Sequence, residues 1–594
     1  MSEKLQVLKE IMKEKGYDFY LVPSTDDHNN EYLPKCWQYR AWISEFDGSA
    51  GDVLVTMDKS FLSTDGRYFS QAEAQLDEKY FTLLKQTGYE SKIEEWLKDN
   101  FKDKTLAIDP KKVGISRAEN LLAMAGKCGG KVVFDTENLV AKAQQKLNQE
   151  TPIPTEKVFV HEIQYAGQSV DSKLKNIRSY LKSIKAECLI ETSLDSIMWA
   201  LNIRGRDVKN TPLAICYMAI TVESTFLYID ESKITEEVRD HLTQNNVVIL
   251  NYDAFFNDLK RFAAKFVIDR NVASYAVKLA VNENEHSQLI EGNNPIIISK
   301  ALKNSIEING AKDAHVKDAV AFIKWWYWME NNYQGTTELD AIAKLVEYRA
   351  QQKNYLEDSF DYIAGYAEHG ALPHYSATEA SNKEIKDDAP FLCDSGGQYK
   401  EGTTDVTRVL HFGRPSKEHR RYYTLVLKGH LGLGRAVFPK GTTGSHLDVL
   451  AREHLWHFCS DYSHGTGHGV GSFLGVHEGP QRINSSSKVE LMPGMILSNE
   501  PGAYFPGEFG IRIENLCYVK QRNQESPTGH GQFYCFEDLT LIPYEYKLIE
   551  TWMLTYTEKK TINNYYSRIR KEVLPLIEEQ EIKDFLLFKT RHIK

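Results

Sequence analysis

The chain has 594 residues, which at about 100–200 residues per domain predicts more than one domain. The formal net charge is −10 and no long basic run occurs, which argues against nucleic acid and against anionic membrane surfaces as partners. No apolar stretch approaches the length of a membrane span, and charges interrupt the N-terminal segment every few residues, so we expect neither a transmembrane helix nor a secretory signal. The eight cysteines include no CxxC pair, which indicates free thiols in a reducing, cytoplasmic compartment and argues against a thiolate zinc site.

The first part of the chain alternates helical and strand patterns. Residues 3–15 have helical apolar spacing, and the following DFYLVPS has the pattern of a buried strand. Strand patterns follow in VLVT, SFLSTD and KTLAIDP, with a helical QAEAQL stretch among them. A proline-rich joint near residue 150 ends this unit, so we predict a first α/β domain over residues 1–152.

A second segment repeats the helix and strand pattern of the first. A helical stretch near residues 171–184 leads to ECLIETS, and LAICYMAITVESTFLYID resembles DVLVTMDKSFLSTD. Phe61 and Asp65 match Phe226 and Asp230 at one common offset. We therefore predict a second, similarly folded α/β domain over residues 153–305, with chance likeness of two unrelated α/β domains as the alternative.

The third predicted domain covers residues 306–594. It begins with a helix through DAHVKDAVAFIKWWYWME, whose tryptophans we assign to the core or to an interface. A second helix follows, with Thr337 as its N-cap and Asp340 completing a capping box. Beyond Asp394, glycine and strand patterns dominate to about residue 545, and a charged helical tail follows from about residue 556.

The segment DSGGQYKEGTTD predicts a pair of opposed carboxylates. A hairpin centred between Tyr399 and Lys400 would place Asp394 opposite Asp405, with their Cβ atoms about 5 Å apart. Two ionised carboxylates at that distance repel each other, and a bound cation would compensate them. Two exposed aspartates flanking a turn are an equally weighted alternative.

The segment HGTGHGVGSFLGVHEGP is rich in both glycine and histidine. Alternating glycines leave one face of an extended segment without side chains. Such a face often marks close approach by a ligand or another backbone. His464 and His468 would share the other face. Their spacing also fits a helical zinc site, but four glycines make a helix improbable, and a single histidine is most often structural.

The segment SNEPGAYFPGEFGIRIEN contributes two further carboxylates. Glu500 precedes a Pro-Gly turn, and alternation along a strand predicts that Arg512 and Glu514 point the same way. An arginine there would keep the carboxylate ionised, although an ordinary surface ion pair is the commoner meaning. Together the three segments supply four carboxylates and one imidazole, which two divalent cations would balance; such ligands favour manganese or cobalt.

These segments closely resemble the metal-binding segments of the pita-bread metallopeptidases of family M24, and within them the large cytosolic Xaa-Pro aminopeptidases. FDGSAG, TDGRYF, NIRGRDV and KNSIEINGAKDAHVKDAVA extend the resemblance over nearly the whole chain. It implies a mixed α/β (α+β) fold, with two creatinase-like N-terminal domains before a pita-bread catalytic domain. It implies two divalent metal ions, most consistent with Mn²⁺, held by Asp394, Asp405, His468, Glu500 and Glu514.

The resemblance also implies roles for individual residues. Asp405 and Glu514 would bridge the two metals, and Glu500 would also act as the general base. His374, His464 and His477 match positions that contact substrate or stabilise the tetrahedral intermediate, and Arg512 would lie in a supporting position. Pro373 departs from the more usual aliphatic residue before His374.

The implied reaction removes an N-terminal residue from peptides with proline in second position, in a homodimeric enzyme. A prolidase, which cleaves only Xaa-Pro dipeptides, shares the ligands and is the main rival. A peptidase-like binding module without metal, and a creatinase-type hydrolase, are more distant rivals because both lack this ligand set.

Overall fold

The computed structural model of the protein describes residues 2–88, 90–524, 526–529 and 531–594. The chain forms two compact units, of which the first comprises Met1–His161 with Ser169–Ile296 and the second comprises Glu162–Gln168 with Ile297–Lys594. None of the described helices combines the length and apolar content that crossing a bilayer requires. All eight cysteines are free thiols, as predicted.

The first unit begins with a six-stranded mixed sheet. Its strands β1–β6 are Phe19–Val22, Asp52–Thr56, Ser60–Asp65, Phe81–Gln86, Thr105–Ile108 and Lys131–Phe134. Helices α1–α6 are Glu3–Lys15, Tyr39–Ser44, Phe69–Gln75, Lys92–Asn100, Ile115–Cys128 and Leu139–Lys146. The spatial order of the strands is β4-β3-β2-β1-β5-β6, with β1 antiparallel to β2 and parallel to β5.

A second six-stranded sheet follows in the same unit. Strands β7–β14 are Phe159–Val160, Cys188–Glu191, Ile203–Arg204, Cys216–Thr221, Thr225–Ile229, Val247–Leu250, Lys265–Ile268 and Gln288–Glu291. Helices α7–α13 are Ile163–Ala166, Val170–Ser183, Leu194–Leu201, Glu236–Gln244, Phe255–Arg261, Tyr275–Asn282 and Pro295–Ala301, of which α7 and the part of α13 from Ile297 onward belong to the second unit. The sheet order is β12-β11-β10-β8-β13-β14, and β7 pairs with β9 as a separate ribbon.

The two sheets confirm the predicted internal similarity. Their strand orders match position for position, including the antiparallel hairpin that follows the central strand. In the first sheet Phe61 pairs with Leu54, and in the second Phe226 pairs with Ala219. The offset between equivalent partners is therefore the same on both strands of the hairpin, so the likeness extends to the register.

The second unit combines long helices with small antiparallel sheets. Strands β15–β28 are Tyr355–Asp358, Ile363–Tyr366, Phe391–Ser395, Gly397–Tyr399, Gly402–Thr403, Val406–Leu410, Val437–Pro439, Gly467–His468, Arg482–Ile483, Ile496–Asn499, Gly502–Phe505, Phe509–Arg512, Asn515–Gln521 and Phe533–Asp538. Helices α14–α19 are Ser305–Asn332, Glu338–Ala350, Lys417–Gly434, Gly444–Trp456, Tyr556–Glu572 and Gln580–Lys589. Four sheets surround the predicted site. Their strand orders are β15-β18-β19, β16-β17-β20, β21-β28-β27-β24 and β25-β26.

Several local predictions for this unit are confirmed. Thr337 and Asp340 form a reciprocal capping box at the start of α15. The side chains of Trp325 and Trp326 are fully buried in the core, where α14 packs against α15 and α19. These contacts fix the scaffold that carries the small sheets.

The prediction that strands and glycines dominate from Asp394 to about residue 545 missed two helices, α16 and α17. Gly429 lies inside α16 although glycine lowers helix stability by about 1 kcal/mol relative to alanine. A Cβ atom at Gly429 would lie 2.1 Å from the carbonyl oxygen of Ala451 in α17. The glycine is therefore explained by the close approach of two helices, a tertiary contact that local sequence does not reveal.

Candidate metal centre

Two aspartates stand on neighbouring segments of the sheet β16-β17-β20. Asp394 lies in β17, and Asp405 directly precedes β20. The predicted pairing of Asp394 with Asp405 is wrong, because Asp394 lies opposite Thr407. The chain turns at Lys400 and Glu401, one residue later than predicted, which shifts the register of the whole hairpin. The two carboxyl groups nevertheless interact, because the negative charge of Asp394 helps to raise the pKa of Asp405.

The remaining candidate ligands converge on the same place. Ligand atoms of Asp405, His468 and Glu514 lie within 4.8 Å of one another. The Nε2 atom of His468 is 3.5 Å from Oδ2 of Asp405 and 3.4 Å from Oε1 of Glu500. The fold thus brings the five predicted ligand positions together from five separate strands, strand ends and loops.

The floor of this cluster is buried and strongly anionic. The side chains of Asp394, Asp405 and Glu514 are buried, whereas those of His468 and Glu500 are half-buried at its rim. Burial, followed by the charges of Asp394 and Glu500, raises the pKa of Asp405 well above its usual range. Burial and the neighbouring Asp405 raise the pKa of Glu514 in the same way, and burial raises that of Glu500.

These carboxylates lack sufficient donors among the described residues. Asp394 Oδ1, Asp405 Oδ1 and Glu514 Oε1 are buried and have no hydrogen-bond partner. Buried, unpaired anionic oxygens are costly, and divalent cations satisfy both their charge and their lone pairs. Several carboxylates with a single imidazole and no thiolate form a donor set that suits such ions, so the residues fit two divalent metals.

Arg512 contacts the cluster through Asp394, whereas the predicted partner is Glu514. Its Nη2 atom lies 2.5 Å from Oδ2 of Asp394, and its Nε donates to Thr407 Oγ1 at 3.1 Å. The predicted direct pairing with Glu514 is wrong, because β26 ends at Arg512 and the strand alternation does not continue to Glu514. Glu514 instead accepts a hydrogen bond from Thr407 Oγ1 at 2.8 Å.

The three predicted substrate-contacting histidines lie on different loops. His464 Nε2 is 2.8 Å from the hydroxyl of Tyr504, and the ring of His477 packs edge-on against that of His468 with centroids 4.2 Å apart. His374 is half-buried and follows the short turn Ala367–Ala371, which packs against β26. His477 therefore stands at the cluster itself, and His464 reaches it through Tyr504 and Arg512.

Comparison with known proteins places this arrangement in a family. Residues 309–521 match the model of metallopeptidase family M24, and residues 532–593 match that of the C-terminal region of peptidase M24. Residues 4–143 and 148–307 match two models of the creatinase/prolidase N-terminal domain. A probable Xaa-Pro aminopeptidase P of Sordaria macrospora is 40% identical over 613 aligned residues, covering 99% of each chain. The chain belongs to metallopeptidase family M24.

Two solved structures align with the chain to different extents. The X-prolyl aminopeptidase of Caenorhabditis elegans, described as a cytosolic enzyme with a di-nuclear active site, aligns with a TM-score of 0.94 at 32% identity. The alignment covers 100% of this M24 chain and 99% of that one. The prolidase of Pyrococcus horikoshii aligns with 63% of the chain at 22% identity and a TM-score of 0.50, a likeness that shows the fold alone.

Two glycines of the histidine-containing segment, Gly467 and Gly469, make room for the backbone of another part of the chain. A Cβ atom at Gly467 would lie 2.1 Å from the carbonyl oxygen of Ser498, and one at Gly469 would lie 2.1 Å from that of Glu478. Of the two possibilities left open by the sequence, close approach of another backbone is therefore the one observed. The segment is a strand only at Gly467–His468, and no helix forms there.

Three hydroxyl residues of the site were missed by the sequence predictions. Tyr504 joins His464 to Arg512, whose Nη1 donates to its hydroxyl at 2.7 Å. Ser498 Oγ donates to Glu500 Oε1 at 3.0 Å and accepts from the backbone N–H of His468 at 2.9 Å. Thr407 and Ser498 each lie two residues from a predicted ligand, and this alternation is the signal that could have found them.

Proposed function

We propose that this M24 metallopeptidase is an Xaa-Pro aminopeptidase, which hydrolyses the bond between an N-terminal residue and a penultimate proline. The observation that carries this proposal is the convergence of four carboxylates and His468, in which three buried carboxylate oxygens have no donor among the described residues. The full-length similarity to relatives named Xaa-Pro aminopeptidase P supports the same substrate class. The test is release of the N-terminal residue from Xaa-Pro-Yaa peptides by the metal-loaded protein.

In this proposal the cluster holds two divalent metal ions. Asp394, Asp405, His468, Glu500 and Glu514 would hold these ions. Oxygen-rich ligation with a single imidazole favours Mn²⁺. When bound, such a pair of ions supplies Lewis acidity toward the scissile carbonyl and lowers the pKa of water.

The residues of the chain then orient the reactants and move protons. Glu500 acts as the general base, and the hydrogen bond from Ser498 Oγ fixes the direction of its carboxylate. His477 contacts the developing tetrahedral intermediate from beside His468, while His374 and His464 position the peptide. The hydroxyl of Tyr504 sets the ring orientation of His464, and Arg512 holds Asp394 from the opposite side.

A prolidase requires a cation that captures the free carboxylate of the proline. Arg512 is committed to Asp394 and Tyr504, and Arg482 is exposed on β23. Neither arginine offers that clamp, which favours an open site for longer peptides. A metal-free binding module and a creatinase-type hydrolase are disfavoured because all five ligand positions keep metal-binding side chains.

We further propose three domains, 1–152, 153–305 and 306–594, in a cytoplasmic homodimer. The separate family-model matches to residues 4–143, 148–307 and 309–521 support these boundaries. The description of the Caenorhabditis elegans enzyme as cytosolic supports the compartment. Large apolar side chains exposed on the second unit, those of Trp456, Trp552 and Tyr556, are of the kind that a second copy covers, and light scattering of the purified protein tests the dimer.

A further inference from the structure

A carboxylate lies between two lysines in the interior of the second unit, behind the glycine-rich loop. Glu478 Oε1 is 3.2 Å from Nζ of Lys303, and Glu478 Oε2 is 3.4 Å from Nζ of Lys300. The three side chains are 1%, 0% and 3% exposed respectively. Buried ion pairs contribute little net stability compared with apolar packing. Fixing the local conformation of the chain is another role that such a pair can have.

The carboxylate of Glu478 is held in place by the loop that it belongs to. The backbone N–H of Glu478 donates to the carbonyl oxygen of Gly469 at 2.8 Å. A Cβ atom at Gly471 would lie 2.7 Å from both Glu478 Oε2 and Cβ of Leu474, so a side chain there would displace the carboxylate or the loop. The glycine-rich segment thus packs directly against the carboxylate of Glu478.

Lys300 lies in α13, and Lys303 lies directly before the N-cap residue of α14. The backbone N–H of Lys303 donates to the carbonyl oxygen of Gly494 at 3.1 Å. The next residue, Asn304, caps α14 through a reciprocal capping box with Glu307. The ion pair therefore anchors the loop to the capped start of a 28-residue helix.

His477 immediately precedes Glu478, and its ring packs against His468 at the candidate metal centre. We propose that Glu478, held by Lys303 and Lys300, is a positioning residue that sets where the imidazole of His477 stands over the centre. This inference rests on the proposed aminopeptidase function, in which His477 contacts the intermediate. Glu478 itself touches neither metal nor substrate and acts only through its neighbour.

The test compares variants in two backgrounds of the full-length, Mn²⁺-loaded protein, the natural chain and His477→Ala. Lys303→Met leaves Glu478 and Lys300 as a balanced pair and is the gentler change, whereas Glu478→Gln leaves two lysines without a counter-charge. Displacement of a reacting group by about 1 Å costs on the order of 10²-fold in rate, so we expect each variant to lower kcat by at least about tenfold in the natural background. KM and metal content should stay near those of the natural chain.

In the His477→Ala background we expect either variant to lower kcat by less than about twofold, since the group it positions is gone. Lys312→Met, which breaks a more exposed ion pair with Glu537, is the matched control and should leave kcat unchanged. Equal losses in both backgrounds, or a lower Tm with unchanged kcat, would overturn the inference while leaving the proposed function intact. Absence of Xaa-Pro cleavage by the natural chain would instead overturn the proposed function and this inference with it.

Discussion

The guanidinium of Arg512 donates to the carboxylate of Asp394 at 2.5 Å, between segments 118 residues apart in the chain. The same guanidinium donates to Thr407 and Tyr504, so one buried side chain orients both a candidate ligand and the hydroxyl that meets His464. Partners that orient metal ligands typically change metal affinity by 10–100-fold when they are removed. The relationship links metal binding to substrate positioning through a single residue.

Replacing Arg512 by lysine should therefore weaken both properties. A lysine keeps the charge but cannot make three directed hydrogen bonds in the arginine's planar geometry. We expect Mn²⁺ affinity to fall by about 10–100-fold, measured by titration of the metal-free protein, with a matching loss of kcat at limiting metal. Arg482→Lys, at an exposed position near the histidine loop, is the control; equal behaviour of the two variants would contradict this role.

Removing single charges from the cluster should separate metal binding from catalysis. Asp405→Asn should lower both metal content and turnover, because it removes a carboxylate proposed to hold the metal ions. Glu500→Gln should lower kcat by about 10²–10⁴-fold through loss of the base, with additional metal loss from the same site.

His477→Ala should lower kcat while metal content, measured by elemental analysis, stays normal. A metal-depleted His477→Ala protein that is fully active on reconstitution would refute its assigned role.

Tyr504→Phe should test the link between His464 and Arg512. The substitution removes one hydroxyl from a chain of two hydrogen bonds and leaves the ring packing in place. We expect kcat/KM for Xaa-Pro-Yaa peptides to fall by about tenfold, since a hydrogen bond to a charged group is worth about 1.5–3 kcal/mol. Metal content should be unchanged, and loss of metal without loss of specificity would contradict the proposed path.

The metal-free protein should lose stability as pH rises. Burial raises the pKa of Asp405 and Glu514 above the values they have in the unfolded chain. A raised pKa stabilises the fold below the unfolded value, and this contribution is lost as pH rises toward the folded value. The Tm of the metal-free protein should therefore fall as pH rises above about 4, the unfolded value of these carboxyl groups, and by more than that of a Glu514→Gln variant. A Mn²⁺-loaded sample should lack this difference, and identical pH profiles of the two metal-free proteins would argue against the electrostatic origin.

Much of the fold could be predicted from local patterns. Helix α1 spans Glu3–Lys15, as the apolar spacing indicates, and the common offset of Phe61 and Phe226 reflects two sheets of the same strand order. The capping box at Thr337 is also confirmed. These features depend on residues close together in the chain or on a repeated pattern, and both leave a direct signal in one sequence.

Contacts between distant segments could not be predicted in the same way. The turn at Lys400 and Glu401 differs by only one residue from the expected one, yet it moves Asp394 opposite Thr407. The choice of Asp394 rather than Glu514 as the partner of Arg512 depends on where β26 ends. Helix α16 is retained despite Gly429 because α17 packs closely on it. Each outcome is set by tertiary packing that strand or helix periodicity does not encode.

The central claim is that the chain removes an N-terminal residue ahead of proline from peptides longer than two residues. The most direct measurement is a mass-spectrometric time course with the Mn²⁺-loaded protein on a matched dipeptide, an Xaa-Pro-Yaa tripeptide, its alanine-for-proline analogue and its N-acetylated form. We predict cleavage of the tripeptide at the Xaa-Pro bond, much slower cleavage of the alanine analogue, suppression by acetylation and loss of activity with a chelator. Cleavage confined to the dipeptide would assign the protein to the prolidases, and no cleavage with metals bound would contradict the enzymatic account altogether.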